Sequence, residues 1–444
     1  MFKSRPFAAF VAATLCTSAL AQAPTTPAAP AINWTDTLWV IIAAALVLLM
    51  TPALALFYGG MVRRKNVLST FLHSFIMLGI VSILWLVIGY SIAFGKSGNG
   101  WIGNPMEFFG GAGISMKAPY PYFSPAGTIP AGAFMLFQMM FAIITPALIS
   151  GAIAERMKFS GYVMFTTLWS LLIYGPIACW VWNPGGWLFQ KGALDFAGGT
   201  VVHLASGVSA LAACMVLGRR RALDHKEPIL PNNLTTTLLG AGLLWFGWIG
   251  FNAGSALAVG DLALSAFTGT HVAAAAGMLG WLVCEKIRYG KPTALGAASG
   301  LVAGLVAITP GAGFLTPMSA ILVGFVVGAI CCMAVGLKHK FGFDDSLDVV
   351  GVHGVGGLLG AICTGIFASV EINPLVADAL KTNGGRGGLI LTQLIAVAVV
   401  GAFAFVGTLL LMKLTQAVVG VRATEEDEST GLDIALHGEA GYNL

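Results

Sequence analysis

The sequence predicts an all-α polytopic membrane protein with eleven transmembrane helices. Hydrophobic residues make up 57% of the 444 positions and charged residues only 9%, and the mean hydropathy is +0.85. Soluble domains carry roughly 25% charged residues, so this chain could not cover its own surface in water. The net charge of +4 is too sparse to indicate a nucleic-acid partner, and the lipid bilayer is the expected surrounding.

The first 35 residues predict two segments that precede the membrane domain. Lys3 and Arg5 are followed by an apolar run and by the small residues around Ala21, which is the pattern of a cleavable signal peptide at 1–21. Residues 22–35 predict a flexible external lead. An uncleaved additional helix remains the alternative for the first segment.

Apolar runs then recur along residues 36–420, each close to the ~20 residues that cross a hydrocarbon core. The predicted spans are 36–59, 69–95, 128–154, 160–181, 197–217, 234–254, 261–284, 294–309, 315–336, 347–369 and 389–417.

The basic residues between these spans predict the orientation. Alternate loops hold fourteen: Arg63, Arg64, Lys65, Arg156, Lys158, Arg219, Arg220, Arg221, Lys226, Lys286, Arg288, Lys291, Lys338 and Lys340. The opposite loops hold five: Lys96, Lys117, Lys191, Lys381 and Arg386. Because cytoplasmic loops are enriched in Lys and Arg, the N-terminus is expected outside and the C-terminus inside.

One interval occurs twice: Asp195 lies eight residues before His203, and Asp345 lies eight residues before His353. Eight helical residues rise about 12 Å, so neither pair can form a catalytic dyad within its helix. The fifth and tenth spans run in opposite directions, so each histidine would lie about 12 Å from an opposite face of a core roughly 30 Å thick. If the two helices are neighbours, the histidines would therefore meet near the midplane. This predicts an inverted repeat of spans 1–5 and 6–10, followed by a final helix.

The aspartates of this interval begin their helices, where negative charge is favoured. Asp195 and Asp345 are interpreted as structural caps, with attraction of a cation at the outer mouth as the alternative for Asp195. Asp348 has no counterpart at Ala197 or Gly198 and is interpreted as a second cap or a contact of the tail.

Histidines inside spans are costly and usually functional. His203 and His353 share the repeat relation, whereas His73 and His271 do not and are interpreted as packed or interfacial residues. Neutral imidazoles offer one donor and one acceptor each and no fixed charge. The spans contain no oxygen cage for a metal cation, no zinc spacing among the cysteines and no cofactor motif, so a small hydrogen-bonding solute is the expected substrate.

Six stretches in order give the chain a family resemblance. They are ALFYGGMVRRKNVLS (55–69), GAIAERMKFS (151–160), GALDFAGGTVVH (192–203), GWIGFNAGSA (247–256), DVVGVHGVGG (348–357) and GLDIALHGEAGYN (431–443). Together they resemble the ammonium transporters of the Amt/Mep/Rh family, bacterial type, over nearly the whole chain after the signal segment. The outer loop 96–127 carries no family motif.

The resemblance implies a role for several residues. His203 and His353 match the twin pore histidines, and Phe141 and Phe251 match the phenylalanines that close the outer mouth. Trp182 and Ser255 match the ammonium recruitment site, with Asp195 near it. Pro146 in the third span lies just below Phe141, where a proline can kink the helix.

The resemblance also implies a homotrimer in the inner cell membrane, no enzymatic activity and no cofactor. The tail 421–444, polar and acidic, is implied to be a cytoplasmic regulatory segment that binds a PII-type signalling protein, whereas taken alone it would be interpreted as disordered. Ammonium and ammonia are the implied substrates.

Three alternatives stay open. An ammonium sensor of the same fold would signal through the tail, a gas channel would pass ammonia alone, and a membrane enzyme would use Asp195 and His203. Whether a proton follows ammonia by a separate route is not decided by the sequence.

Overall fold

The computed structural model describes residues 31–122 and 127–442, so the predicted signal peptide and most of the predicted lead lie outside the described residues. From Ile32 onward the chain forms one structural unit. The described residues are helical or irregular, with two isolated β-bridges and no strand among them.

Eleven helices in the described part of the chain are long and apolar enough to span a membrane, which confirms the predicted number. They are α1 Trp34–Met61, α2 Arg64–Phe94, α3 Ala131–Ile153, α4 Phe159–Gln190, α5 Gly199–Leu217, α6 Leu234–Ala256, α7 Asp261–Tyr289, α8 Ala294–Gly311, α9 Pro317–Phe341, α10 Val350–Phe367 and α11 Arg386–Val418. Short helices at Arg221–Asp224, Leu375–Thr382, Glu425–Thr430 and Leu432–His437 lie outside these spans.

The helix ends follow polar caps rather than hydropathy. Asn33 caps α1 through the N–H groups of Thr35 and Asp36, so α1 begins two residues before the predicted span. α4 is interrupted after Trp182 and resumes as a short helical turn at Trp187–Gln190. α3 continues through Pro146.

Helices α5 and α10 cross at glycines. A Cβ on Gly207 would lie 2.1 Å from the Gly354 nitrogen, and one on Gly357 would lie 2.8 Å from the Gly199 carbonyl oxygen. Glycine at these positions lets the backbones touch. Gly207 lies four residues after His203 and Gly357 four residues after His353, so the crossing brings the two histidines together.

The C-terminal tail docks on the loops at one end of the helices, which we call the tail side. Val421 accepts a hydrogen bond from the Lys158 N–H at 2.9 Å, and Ala423 donates to the Arg156 carbonyl at 2.9 Å. Asp433 accepts the N–H groups of Leu68 and Ser69, at 3.0 and 2.8 Å, at the start of α2. The described part of the tail is therefore held in place, and the interpretation of the tail as disordered is wrong for it.

Buried charges join the loops beneath the tail. Arg220 forms two hydrogen bonds of 2.9 Å with the Asp344 carboxylate and one of 3.1 Å with Glu155. Glu155 also binds Arg63. Burial alone would raise the pKa of Glu155, but Arg220 and Arg63 outweigh it and hold the pKa below its ordinary value. This network fixes the loops after α1, α3, α5 and α9 relative to one another.

Candidate functional site: a gated path with paired histidines

The fifth spanning helix begins on the carboxylate of Asp195. One of its oxygens accepts the N–H groups of Gly198 and Gly199 at 2.8 and 2.7 Å. The other accepts those of Thr200 and Val201 at 2.8 and 3.1 Å. The otherwise unpaired N–H groups of the first turn are therefore satisfied, which supports the cap interpretation. Both oxygens are occupied, so the carboxylate is not an open cation ligand.

The tenth spanning helix begins in a related way with fewer bonds. One oxygen of Asp345 accepts the N–H of Val350 at 2.7 Å, while the other is buried without a hydrogen-bond partner. Burial, reinforced by the neighbouring Asp348, raises the pKa of Asp345 to about 6. Asp345 is therefore a cap, but an incompletely paired one.

The cap interpretation of Asp348 is wrong. Its backbone has φ +64°, and it occupies the position of Gly198, which has φ +113°. Its carboxylate pairs with Lys338 at 2.6 Å instead of capping α10 or touching the tail. Asp348 does have a counterpart in the first half of the chain. In both halves the backbone adopts a left-handed conformation three residues after the capping aspartate.

The two histidines meet as expected. Their Nδ1 atoms are 3.2 Å apart and their ring centroids 5.2 Å apart. Each histidine lies in a π-helical turn, Gly199–Leu204 or Val350–Gly354, a rare feature that is frequent at functional sites. Because one Nδ1 must donate and the other accept, the two rings hold opposite tautomers.

A small cavity of about 10 Å³ lies beside this pair. The two histidines and Trp248, whose indole N–H is bound to Thr309, are the polar side chains among the described residues that line it. The other lining residues are Met50, Leu54, Phe57, Ile144, Leu148, Val202, Leu244, Phe251 and Val302. His203 Nε2 is buried without a partner. A water-sized molecule needs about 10–15 Å³, so the cavity suits one small solute with a hydrogen-bonding atom.

Two phenylalanine rings separate this cavity from a larger one. The centroids of Phe141 and Phe251 are 4.3 Å apart, and the two side chains are 1% and 0% exposed. Phe141 lines the larger cavity and Phe251 lines the smaller. The ring pair therefore forms the wall between them, and Phe141 lies in that wall although α3 contains Pro146.

The larger cavity, the vestibule, has a volume of about 440 Å³ and contains the predicted recruitment residues Trp182 and Ser255. Trp182 packs edge-on against Phe141, with centroids 5.7 Å apart, and its indole N–H donates to the Asp195 carbonyl at 2.9 Å. Ser255 donates its hydroxyl to the Phe251 carbonyl at 2.8 Å, which leaves the hydroxyl oxygen free to accept.

Three residues of this path were not singled out from the sequence. Trp248 stacks on His203 with centroids 5.2 Å apart. Gln138 and Asp378 line the vestibule. Gln138 lies one helical turn before Phe141, a spacing that could have indicated it, whereas Asp378 sits in the short helix Leu375–Thr382, which carries no motif.

The other histidines within spans lie away from the path. His73 is buried against Tyr162, with ring centroids 4.4 Å apart. His271 is exposed and stacks on Trp245 at 5.0 Å. Both positions fit the packed or interfacial interpretation. Within residues 31–122 and 127–442, His, Cys, Asp and Glu form no group of three that could hold a metal.

A third cavity of about 360 Å³ opens on the tail side. Its charged lining includes Arg219, Arg220, Lys338, Asp344 and Asp348. This third cavity is separate from the vestibule and from the space beside the paired histidines, and the eleven spanning helices define a multi-pass membrane protein.

Comparison with known proteins agrees with this class. Residues 38–442 match the Ammonium Transporter Family. The chain is 50% identical to an ammonium transporter of Bacillus subtilis over 92% of this chain and 98% of that protein. It is 43% identical to ammonium transporter Amt1 of Archaeoglobus fulgidus over 91% and 98%. The crystal structure of Saccharomyces cerevisiae Mep2 superposes with a TM-score of 0.81 at 37% identity, over 89% of this chain and 88% of that one.

The chain therefore belongs to the ammonium transporter family. A structure titled Sensor Amt Protein is also similar, with a TM-score of 0.83 at 31% identity over 91% of this chain and 98% of that one.

Proposed function

We propose that this protein transports ammonium by collecting it in the vestibule, deprotonating it at the gate and passing ammonia along the histidines. The supporting observation is the change of surroundings across the Phe141–Phe251 pair. Polar groups reach the 440 Å³ vestibule on one side, whereas the 10 Å³ cavity on the other side offers only imidazole.

Recruitment rests on Trp182 and Ser255. An indole face attracts a cation by about 0.5–2 kcal/mol, depending on its hydration, and the Ser255 oxygen can accept a hydrogen bond from an ammonium N–H. Asp195 acts here as a positioning residue, because its carbonyl holds the indole N–H of Trp182.

Deprotonation follows from the cost of burial. An isolated ammonium in an apolar site costs several kcal/mol even after relaxation, and the inner cavity offers no carboxylate. Ammonia carries no charge and both donates and accepts hydrogen bonds. The proton is released on the vestibule side of the gate, and whether it then crosses by a separate route decides if transport carries current.

The histidine pair suits ammonia in particular. With one Nδ1 donating to the other, one ring presents Nε2 as an acceptor and the other presents an Nε2–H as a donor. As it passes, ammonia can donate a hydrogen bond to the Nε2 of one ring and accept one from the Nε2–H of the other. The pair thus replaces the hydrogen bonds that ammonia made to water.

The surroundings of the pore belong to the same proposal. We place the vestibule outside and the tail side in the cytoplasm of an inner membrane, as the loop charges indicate. A homotrimer and a PII-type partner on the tail side are proposed from the family. The docked tail supports such a partner, because it connects the loops that a cytoplasmic protein would meet. None of the described features favours the sensor alternative over transport.

The test is electrophysiology on solid-supported membranes, with purified protein in liposomes and ammonium pulses. His203→Ala should lower the ammonium current by about tenfold or more, or admit potassium, since it removes hydrogen bonds worth about 1–2 kcal/mol to the solute and opens space. His271→Ala is the matched control, because His271 lies on the exposed surface, and it should resemble the wild type.

A wild type without current whose liposomes still alkalinise on ammonium addition, reported by a pH dye, would establish neutral ammonia conduction. If neither current nor alkalinisation exceeds that of empty liposomes, transport is refuted.

A further inference from the structure

We infer that Asp378 is a cation-collecting residue at the rim of the vestibule, upstream of Trp182 and Ser255. This inference rests on the proposed transport of ammonium. It assigns the first contact of the cation to a loop residue between α10 and α11, outside the motifs that carry the family resemblance.

Asp378 is the open carboxylate of the vestibule. Only two acidic side chains, Asp195 and Asp378, line the cavity in the described part of the chain. Both oxygens of Asp195 are occupied by backbone N–H groups. Asp378 is exposed and takes part in no ion pair or side-chain hydrogen bond among the described residues.

The vestibule carries no compensating positive charge on its lining. Among the residues that the structure describes, no Lys, Arg or His lines the cavity. Lys381 follows Asp378 by one helical turn but lies more than 4.0 Å from its carboxylate, because no ion pair forms between them. A mouth lined by one sign of charge, with low-dielectric walls, raises the local concentration of the opposite ion. The net charge of this lining is negative and favours a cation.

Gln138 is a second polar side chain on the lining of this cavity. The side-chain oxygen of Gln138 is buried and has no hydrogen-bond partner, and Gln138 lines the vestibule together with Phe141. Ammonium is a cation that only donates hydrogen bonds. Asp378 is therefore the side chain that offers an unoccupied carboxylate to a cation in the cavity that also contains Trp182 and Ser255.

The position of Asp378 also has a structural explanation. It lies in the first turn of the helix Leu375–Thr382, where a carboxylate interacts favourably with the helix dipole. That role alone predicts a small loss of stability when the charge is removed, with no change in ammonium affinity and no dependence of that affinity on salt. The two explanations therefore separate in a binding measurement.

The experiment compares Asp378→Asn with Glu371→Gln. Glu371 is exposed in the same loop but does not line the vestibule, so it controls for the loss of one outer negative charge. Half-saturating ammonium is measured from currents or alkalinisation at about 10 mM and about 300 mM ionic strength, where screening lengths differ several-fold. We expect Asp378→Asn to raise the half-saturating ammonium concentration about two- to fivefold at low salt and by less at high salt, without lowering the maximal rate.

Equal half-saturation in the two variants at low salt would overturn the inference. A second measurement keeps it independent of transport: the ammonium-dependent rise in melting temperature of the full-length protein in detergent, which reports binding by mass action. Asp378→Asn should require more ammonium than Glu371→Gln for the same rise. If the two variants differ in this way but the wild type carries no ammonium, the proposed transport is refuted while the rim site stands. If the rises in melting temperature of the two variants coincide, the rim site is refuted.

Discussion

The helix starts before His203 and His353 share one geometry, but their capping aspartates accept different numbers of hydrogen bonds. On the vestibule side, Asp195 accepts four backbone N–H groups and is followed by Gly198 in the left-handed region. On the tail side, Asp345 accepts one, keeps a buried oxygen unpaired and is followed by Asp348 in the same conformation. The same left-handed turn after an aspartate precedes both histidines, while the two carboxylates differ in how completely they are paired.

The largest expected effect comes from removing a carboxylate oxygen at each end. Asp195→Asn should lower the free energy of unfolding by about 3 kcal/mol, because an amide nitrogen would face two N–H donors in a buried site. Asp345→Asn should change it by no more than about 1 kcal/mol, since the amide can replace the oxygen that has no partner. Thermal unfolding in detergent measures both, and similar losses would show that the ends are equivalent.

The left-handed position offers a second pair of changes. Gly198→Ala should cost about 2 kcal/mol, because φ is +113° and the new Cβ would lie 2.6 Å from Val202 Cγ2. Asp348→Gly should stay within about 1 kcal/mol, since relief of the left-handed backbone offsets the loss of the Lys338 ion pair. The same melting experiment applies; a greater loss from Asp348→Gly would make the ion pair the dominant feature of that helix start.

The smallest expected effect is a dependence on pH. The pKa of Asp345 is raised to about 6 from an ordinary 3.8, so the folded protein binds this proton more tightly than the unfolded chain does. The associated stability is complete below about pH 4 and is lost as the pH rises through about 6.

The free energy of unfolding of the wild type, relative to that of Asp345→Asn, should therefore fall by about 1–2 kcal/mol between pH 4.5 and 7. The difference between the two proteins cancels the titration of groups they share, such as Glu155. Melting curves that run parallel over this range would contradict the raised pKa.

Hydropathy was sufficient to predict the eleven spans, because each crossing needs about 20 apolar residues and the bilayer leaves no alternative to helices. It could not predict the ends of α1 and α4, which depend on the side chain of Asn33 and on the break after Trp182. The same limit applies to the tail, since its docking depends on single bonds such as those of Asp433.

Spacing along the sequence was sufficient to bring His203 and His353 together, because two antiparallel helices with the same interval must meet. It could not show which ring atoms face each other, since the π-helical turns change the side-chain directions. The prediction for Asp348 was wrong for a related reason. It compared residue types at Gly198 and Asp348, whereas the property that these two positions share is the left-handed backbone conformation. Asp378 was missed because an isolated carboxylate in a loop has no periodicity.

The size of the space beside the histidines has a consequence for the cell. At about 10 Å³, it holds about one small molecule, and the stacked phenylalanines seal it from the vestibule. A space of that volume is too small for a continuous column of water. Many copies could therefore stand in a membrane without osmotic flow through this passage, and protons could not hop through it along a continuous chain of water to discharge the membrane potential.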